Sequence, residues 1–274
     1  MFQKTLHFLL FLSLFSVFSS ALADDDYDHY DDSPAAIHAA LDAAALKNQV
    51  TYDRCPACWY FGMGVGGAWV KPISIKQTIL SDQYNNNNPN TSPILLIQTG
   101  YRWATHRHWF PNFYLGGRYR YFFSHNINGN VLIGSNPNAS NYTFSVSSTI
   151  NLLTLSGQLD LCEFNGFAPF ISFGAGFAFN YFNQYSESPN LGVAARNNPS
   201  FASKNNIDLA YEAGAGLSYY VGPQLFLSAE YDYINTGALS SKVGSYAWSS
   251  QTMNFGDTAS QTILFSMSYL FHGS

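Results

Sequence analysis

From Trp59 to Phe271 the chain alternates between apolar side chains and small or polar ones, and this period of two limits the fold more than any other feature. A β-strand sends successive side chains to opposite faces, so each alternating run describes one strand with one greasy face. Trp59, Phe61, Met63, Val65 and Trp69 alternate with Tyr60, Gly62, Gly64, Gly66 and Ala68. The pattern returns around Ile97–Trp103, Phe113–Phe123, Leu153–Leu161, Ile171–Tyr181, Leu209–Val221, Leu225–Tyr233 and Ile263–Phe271. Eight strands are therefore predicted, each about as long as a tilted span across a bilayer requires.

The contents of the two faces decide which side is which. One carries Phe, Leu, Ile and Tyr; the other carries Gly, Ser, Gln, Arg and Glu. The lumen of an eight-stranded barrel is narrow and is filled by side chains, so the small and polar face belongs inside. The apolar face then points outward, and what lies outside must be lipid. Within lipid every backbone polar group needs a partner in the protein, which obliges the sheet to close on itself. Composition agrees: 11% charged residues is low against about a quarter in soluble domains, and 23 Phe with 19 Tyr is high. Mean hydropathy is nonetheless only -0.07, as expected when alternate residues alone are apolar. The rival soluble reading, a lipocalin-like barrel hinted at by Gly67-Ala68-Trp69, does not fit the polar alternate faces. A net charge of -5 offers no basic footprint for nucleic acid.

Connections between the runs are long, short, long, short: 71–93, 105–111, 124–142, 163–166, 182–206, Gly222 and 235–257. Outer-membrane barrels pair short periplasmic turns with long external loops, which puts both termini in the periplasm. One stretch breaks phase. From Phe144 to Ile150 apolar residues fall on even numbers and after Leu152 on odd ones, as a bulge near Leu152-Leu153 or a strand top clear of the membrane would produce. Trp59, Tyr101, Trp103, Trp109 and Phe271 gather at the predicted periplasmic strand ends, where an aromatic girdle belongs.

Ahead of the strands the composition differs. Lys4, the apolar run Phe8–Phe18 and Ala21-Leu22-Ala23 read as a signal peptide over 1–23, cleaved after Ala23. Residues 24–58 form an acidic and Ala-rich periplasmic extension, with an acidic run from Asp24 to Asp32 and a short helix predicted over Ala35–Lys47. The barrel domain is 59–274.

Strand parity sends Arg102, Arg118, Arg120, Asp160, Glu212, Glu230 and Asp232 into the lumen. Three cations and four anions nearly balance, so an ion-pair network that plugs the barrel is expected. Interleaved glycines would clear space for the long arms. Cys55, Cys58 and Cys162 are the disulfide candidates of an exported chain. Cys55-Pro56-Ala57-Cys58 has the spacing of a redox motif but precedes a strand, which favours a structural bridge. His106-Arg107-His108 falls in a turn and reads as solvated. Neither a cofactor nor a metal is implied.

The eight-strand meander, the first strand Phe61-Gly62-Met63-Gly64-Val65-Gly66 and the closing Phe265-Ser266-Met267-Ser268-Tyr269-Leu270-Phe271 resemble the OmpA-like and opacity-protein-like barrels. The closing strand is also similar to the aromatic-terminated signal read by the barrel-assembly machinery, although His272-Gly273-Ser274 continue past it. The resemblance implies an integral outer-membrane protein of a Gram-negative bacterium, in contact with outer-membrane lipid and lipopolysaccharide. It implies a non-enzymatic surface protein whose four external loops meet host surface or matrix molecules or other envelope components. A narrow pore for small solutes is the second reading and a lipid-modifying enzyme the third. For the enzyme, His272-Gly273-Ser274 lies past the last strand, and Ser124 and His125 at the outer rim lack a recognisable partner.

Overall fold

The computed structural model describes residues 57–72, 75–79, 82–86, 90–105, 109–136, 140–195, 201–244 and 251–271. The expected signal peptide, the stretch Ala35–Lys47 where a helix is predicted, Cys55, His106–His108 and His272–Ser274 lie outside them. Ten strands form one antiparallel sheet: β1 Ala57–Pro72, β2 Ile75–Ile79, β3 Asp82–Asn86, β4 Asn90–Ala104, β5 Asn112–Leu132, β6 Ser140–Asp160, β7 Phe167–Pro189, β8 Lys204–Tyr220, β9 Leu225–Ser240 and β10 Asn254–Phe271. The order β5-β4-β1-β10-β9-β8-β7-β6 closes through a β5–β6 pairing, which makes a ring of eight. The remaining two, β2 and β3, form a hairpin that hangs on the far end of β5 through Gln83–Asn85. Closure leaves no open edge along the ring, the condition for a sheet in lipid.

Alternation falls as the sequence requires. Trp59, Phe61, Met63 and Val65 of β1 are exposed, and so are Ile263, Phe265, Met267, Tyr269 and Phe271 of β10 beside them. Trp59 meets Tyr101 edge-on at 5.5 Å, Trp103 stacks on Phe113 at 5.6 Å, and Phe167 lies 4.6 Å from Tyr219. These rings band the outside of the barrel at the end where the short turns lie. One of those turns follows directly from the sequence. Asn165 (φ 50°) and Gly166 (φ 83°) are both left-handed, and Phe164 and Phe167 exchange two backbone hydrogen bonds across them. Asn-Gly is the pair that a two-residue hairpin turn of this kind demands.

Strand length changes the picture at the opposite end. β5 and β6 have 21 residues each and β7 has 23, against about 9–11 needed to cross a bilayer. The excess stands beyond the lipid-facing belt as a head. The connections expected over 71–93, 124–142, 182–206 and 235–257 are therefore much shorter than predicted, because the ladder continues into them. Their Asn and Ser residues occupy the outward face of paired strands as well as the tips.

The phase break has a different cause from a bulge at Leu152. Even-numbered residues of β6 stay inside from Tyr142 to Asp160 without interruption. The extra residues lie on its two neighbours: on β5, Phe122 pairs with Ile150 but His125 with Ser148, and on β7, Asn183 pairs with Ser147 but Ser186 with Ser145. What changes along β6 is chemistry. Below Leu152 the inward residues are Thr154, Ser156, Gln158 and Asp160; above it they are Ile150, Val146, Phe144 and Tyr142, with Ser148 the one polar residue among them. Outside the bilayer, burial again selects apolar side chains, so the head is built like a soluble sheet. Ile79, Tyr84, Ile127, Phe144, Phe182 and Phe255 form its core with others.

Candidate functional site

The lumen is filled in storeys. Nearest the short turns Tyr60, Tyr114, Tyr220, Phe226 and Leu270 pack together. The Tyr114 and Tyr220 hydroxyls are 2.5 Å apart, and Tyr220 donates to the Asp160 carboxylate at 2.9 Å. Asn112 joins this cluster by donating to Asp160 at 2.8 Å while its carbonyl accepts from Arg102.

Above lies the charged storey. Arg118 contacts Glu230 at 2.9 Å and Glu212 at 3.9 Å. Arg120 contacts Asp232 at 3.0 Å and also Glu212. All five side chains are buried. Ser172 donates to Glu230 at 2.5 Å, and Ser156 and Thr154 donate to Glu212 at 2.5 and 3.2 Å. Gln158 stands between the storeys, accepting from Arg118 at 3.5 Å and donating to Asp160 at 3.2 Å. The seven lumen charges named from strand parity are thus distributed between two clusters: Arg118, Arg120, Glu212, Glu230 and Asp232 in one, and Arg102 with Asp160 in the other.

Glycines make the arrangement fit. A Cβ on Gly174 would lie 2.6 Å from both the Glu212 carboxylate and the Ser156 hydroxyl, and one on Gly214 would overlap the Asp232 carboxylate. Without side chains there, the acids lie flat against the wall.

A third storey was not read from the sequence. Ile94, Leu96, Phe122, Ile150, Leu152 and Ile234 are buried together between the charges and the head. Parity alone locates them, yet nothing in a period-two pattern tells an apolar plug from a lipid-facing residue. Asn112, Tyr114 and Tyr220 also went unflagged as partners, although the same parity places them inside.

Ser124 and His125, the rim pair considered for lipid chemistry, diverge at the β5 bulge. Ser124 is exposed and shares a 2.7 Å hydrogen bond with Ser147, whereas His125 is buried inward at 5% exposure. A histidine facing the interior cannot act as base for a hydroxyl on the outer wall. Cys58 is buried at the floor and Cys162 is half-buried in the turn after β6, and the structure does not join the two. Among the described residues no group of three or more His, Cys, Asp and Glu is placed to hold a metal. No helix among them is long and apolar enough to cross a membrane; the crossing elements are strands.

In the head, Tyr84 donates to Glu187 at 3.2 Å and Tyr185 donates to the same carboxylate. Burial, reinforced by Glu187, raises the Tyr185 pKa and keeps the phenol a donor. The turn after β7 carries Leu191 fully exposed.

No family model matches the sequence. Outer membrane protein PagN of Salmonella typhimurium is 30% identical over 131 residues, covering 46% of this chain and 53% of that protein. The match thus spans about half the length of that curated relative. Among solved structures, Neisserial surface protein A is 15% identical, with 78% of this chain and 99% of that one covered and a TM-score of 0.40. OprG of Pseudomonas aeruginosa is 14% identical over 81% and 99% of the two chains, with a TM-score of 0.43. In its own ring of register the chain is an eight-stranded, up-and-down antiparallel transmembrane β-barrel carrying an ordered head, a ground plan that resembles the OmpA-like and opacity-like barrels.

Proposed function

We propose that this chain is a non-enzymatic surface protein of a Gram-negative outer membrane, whose barrel serves to hold the head outside the cell. The short turns and the termini then lie in the periplasm, and the head meets host surface or matrix molecules. The observation that carries this reading is the division of labour along the strands. Within the lipid belt the interior is filled by paired charges, while beyond it β5, β6 and β7 run on to build a head with its own apolar core. An interior filled to that degree offers neither a solute path nor a substrate cleft, which weighs against the pore and the enzyme. Outer-membrane lipid and lipopolysaccharide surround the belt, and the barrel-assembly machinery inserts it.

The test is binding of the purified, lipid-embedded protein to immobilised matrix and serum proteins, beside a variant lacking 243–252, which leaves the buried Ser241 and Met253 in place. Retention that falls with the excision supports presentation by the head. Equal retention of both, or steady ion conductance in planar bilayers, would overturn the reading.

A further inference from the structure

Between the apolar plug and the core of the head, the inner wall turns polar again. His125 of β5 stands opposite Ser148 of β6. One step away, Asn180 of β7 donates through Nδ2 to the Thr236 carbonyl at 2.6 Å, and the Thr236 hydroxyl donates to the Thr258 carbonyl at 3.2 Å. Ser260 of β10 and Asn90 of β4 flank Val70 of β1 from its two sides. The belt therefore runs round the ring. His125, Ser148, Asn180, Thr236, Thr258 and Ser260 are all less than a tenth exposed.

These side chains are short of partners. His125 Nε2, Ser148 Oγ, Asn180 Oδ1, Thr258 Oγ1, Ser260 Oγ and Asn90 Nδ2 are buried atoms with no hydrogen bond in the protein. Buried polar atoms in folded proteins are almost always paired, with protein groups or with ordered water. Six such atoms at one level of one lumen are a set rather than scattered exceptions. We propose that this belt is an internal binding site for a cluster of ordered water molecules, enclosed between the barrel plug and the head.

The chemistry of the set selects the ligand. Asn90 Nδ2 only donates and Asn180 Oδ1 only accepts, while the three hydroxyls do either. A molecule that both donates and accepts, in several orientations, satisfies them all; an ion of either sign would satisfy one half. One formal charge borders the level, Asp208, whose carboxylate accepts from the Ala238 amide at 3.1 Å, and burial lowers the His125 pKa. Apolar layers lie on both sides, Ile94, Phe122 and Leu152 beneath and Ile127, Phe144 and Phe182 above. Water between them is enclosed and long-lived. The site also coincides with a seam in the wall. Backbone pairing of β8 with β9 ends at Tyr211–Asn235, although both strands continue. Side chains take over there, with Asn206 donating to the Ser240 carbonyl at 2.9 Å. The water cluster would complete the hydrogen bonding at the level where the ladder is interrupted.

Two measurements on the full-length protein in lipid nanodiscs test this. In NMR spectra, cross-relaxation between water and the Thr258 methyl, His125 ring and Asn180 amide protons should carry the sign of held water. In urea titrations, the triple variant Ser148→Ala, Thr258→Val, Ser260→Ala should unfold at a lower midpoint, because water-bonded hydroxyls are lost. Absence of those cross-peaks would overturn the proposal. So would an unchanged or higher midpoint, the result expected where the hydroxyls face a dry gap.

Discussion

Gly174 lies opposite Glu212 across the β7–β8 ladder, and a Cβ on that glycine would come 2.6 Å from the Glu212 carboxylate oxygen. The acid that accepts from Arg120, Ser156 and Thr154 therefore depends on a missing side chain on the next strand. Gly174→Ala should lower unfolding stability by about 1–3 kcal/mol through overpacking. Gly117, where a Cβ would meet nothing within 4 Å, provides the control: Gly117→Ala should be near neutral. Equal losses in urea unfolding of the two variants would contradict the packing argument.

Arg118 holds two carboxylates at once, Glu230 at 2.9 Å and Glu212 at 3.9 Å. Arg118→Ala should cost about 3–5 kcal/mol, because the acids are left buried without their counter-charge. Adding Glu230→Gln should restore part of that loss, since the second change removes the stranded charge. Strictly additive losses in this double-mutant cycle would show that the pair is not coupled.

His125 lies past the β5 bulge, and its buried site lowers its pKa below the ordinary value of about 6.5. The unfolded chain then binds a proton more readily than the folded one, so stability rises with pH through this window. It should be present in full above the ordinary histidine pKa and decline as pH falls below it. Denaturation midpoints measured between about pH 5 and pH 8 should show this slope in the native protein and a shallower one in His125→Asn. Identical slopes would remove His125 from the account.

Protease added to intact cells should reach 191–200 and 243–252 and spare 182–189, which the sequence alone assigns to a loop. Pro189 at its end is still paired with Tyr142, and a paired backbone does not thread a protease cleft. Cleavage at 105–111 in unbroken cells would reverse the orientation. The barrel should also run faster on a gel before boiling than after it, as a closed ladder resists detergent.

The alternation from Trp59 to Phe271 determined the eight strands of the ring, their inward and outward faces and the lumen position of seven charges, because side-chain direction in a strand is a local property of the backbone. Residues such as Arg118 and Asp232 could thus be placed inside by counting alone. Which of them meet was decided only when the ring closed, since Arg120 and Asp232 are distant in sequence and their strands are not neighbours. The same holds for Arg102 and Asp160, which the fold connects through Asn112 instead of joining them to the charged storey. The head was the largest departure. An Asn- and Ser-rich segment reads as loop because its outward residues are polar, but polarity outward is what any strand shows once it leaves lipid. Leu152 and Leu153 are neighbours of like hydropathy, one inside at 0% exposure and one outside at 52%. Sequence gives both the same greasy character; only the depth of each in the assembled barrel, against plug or against lipid, distinguishes them.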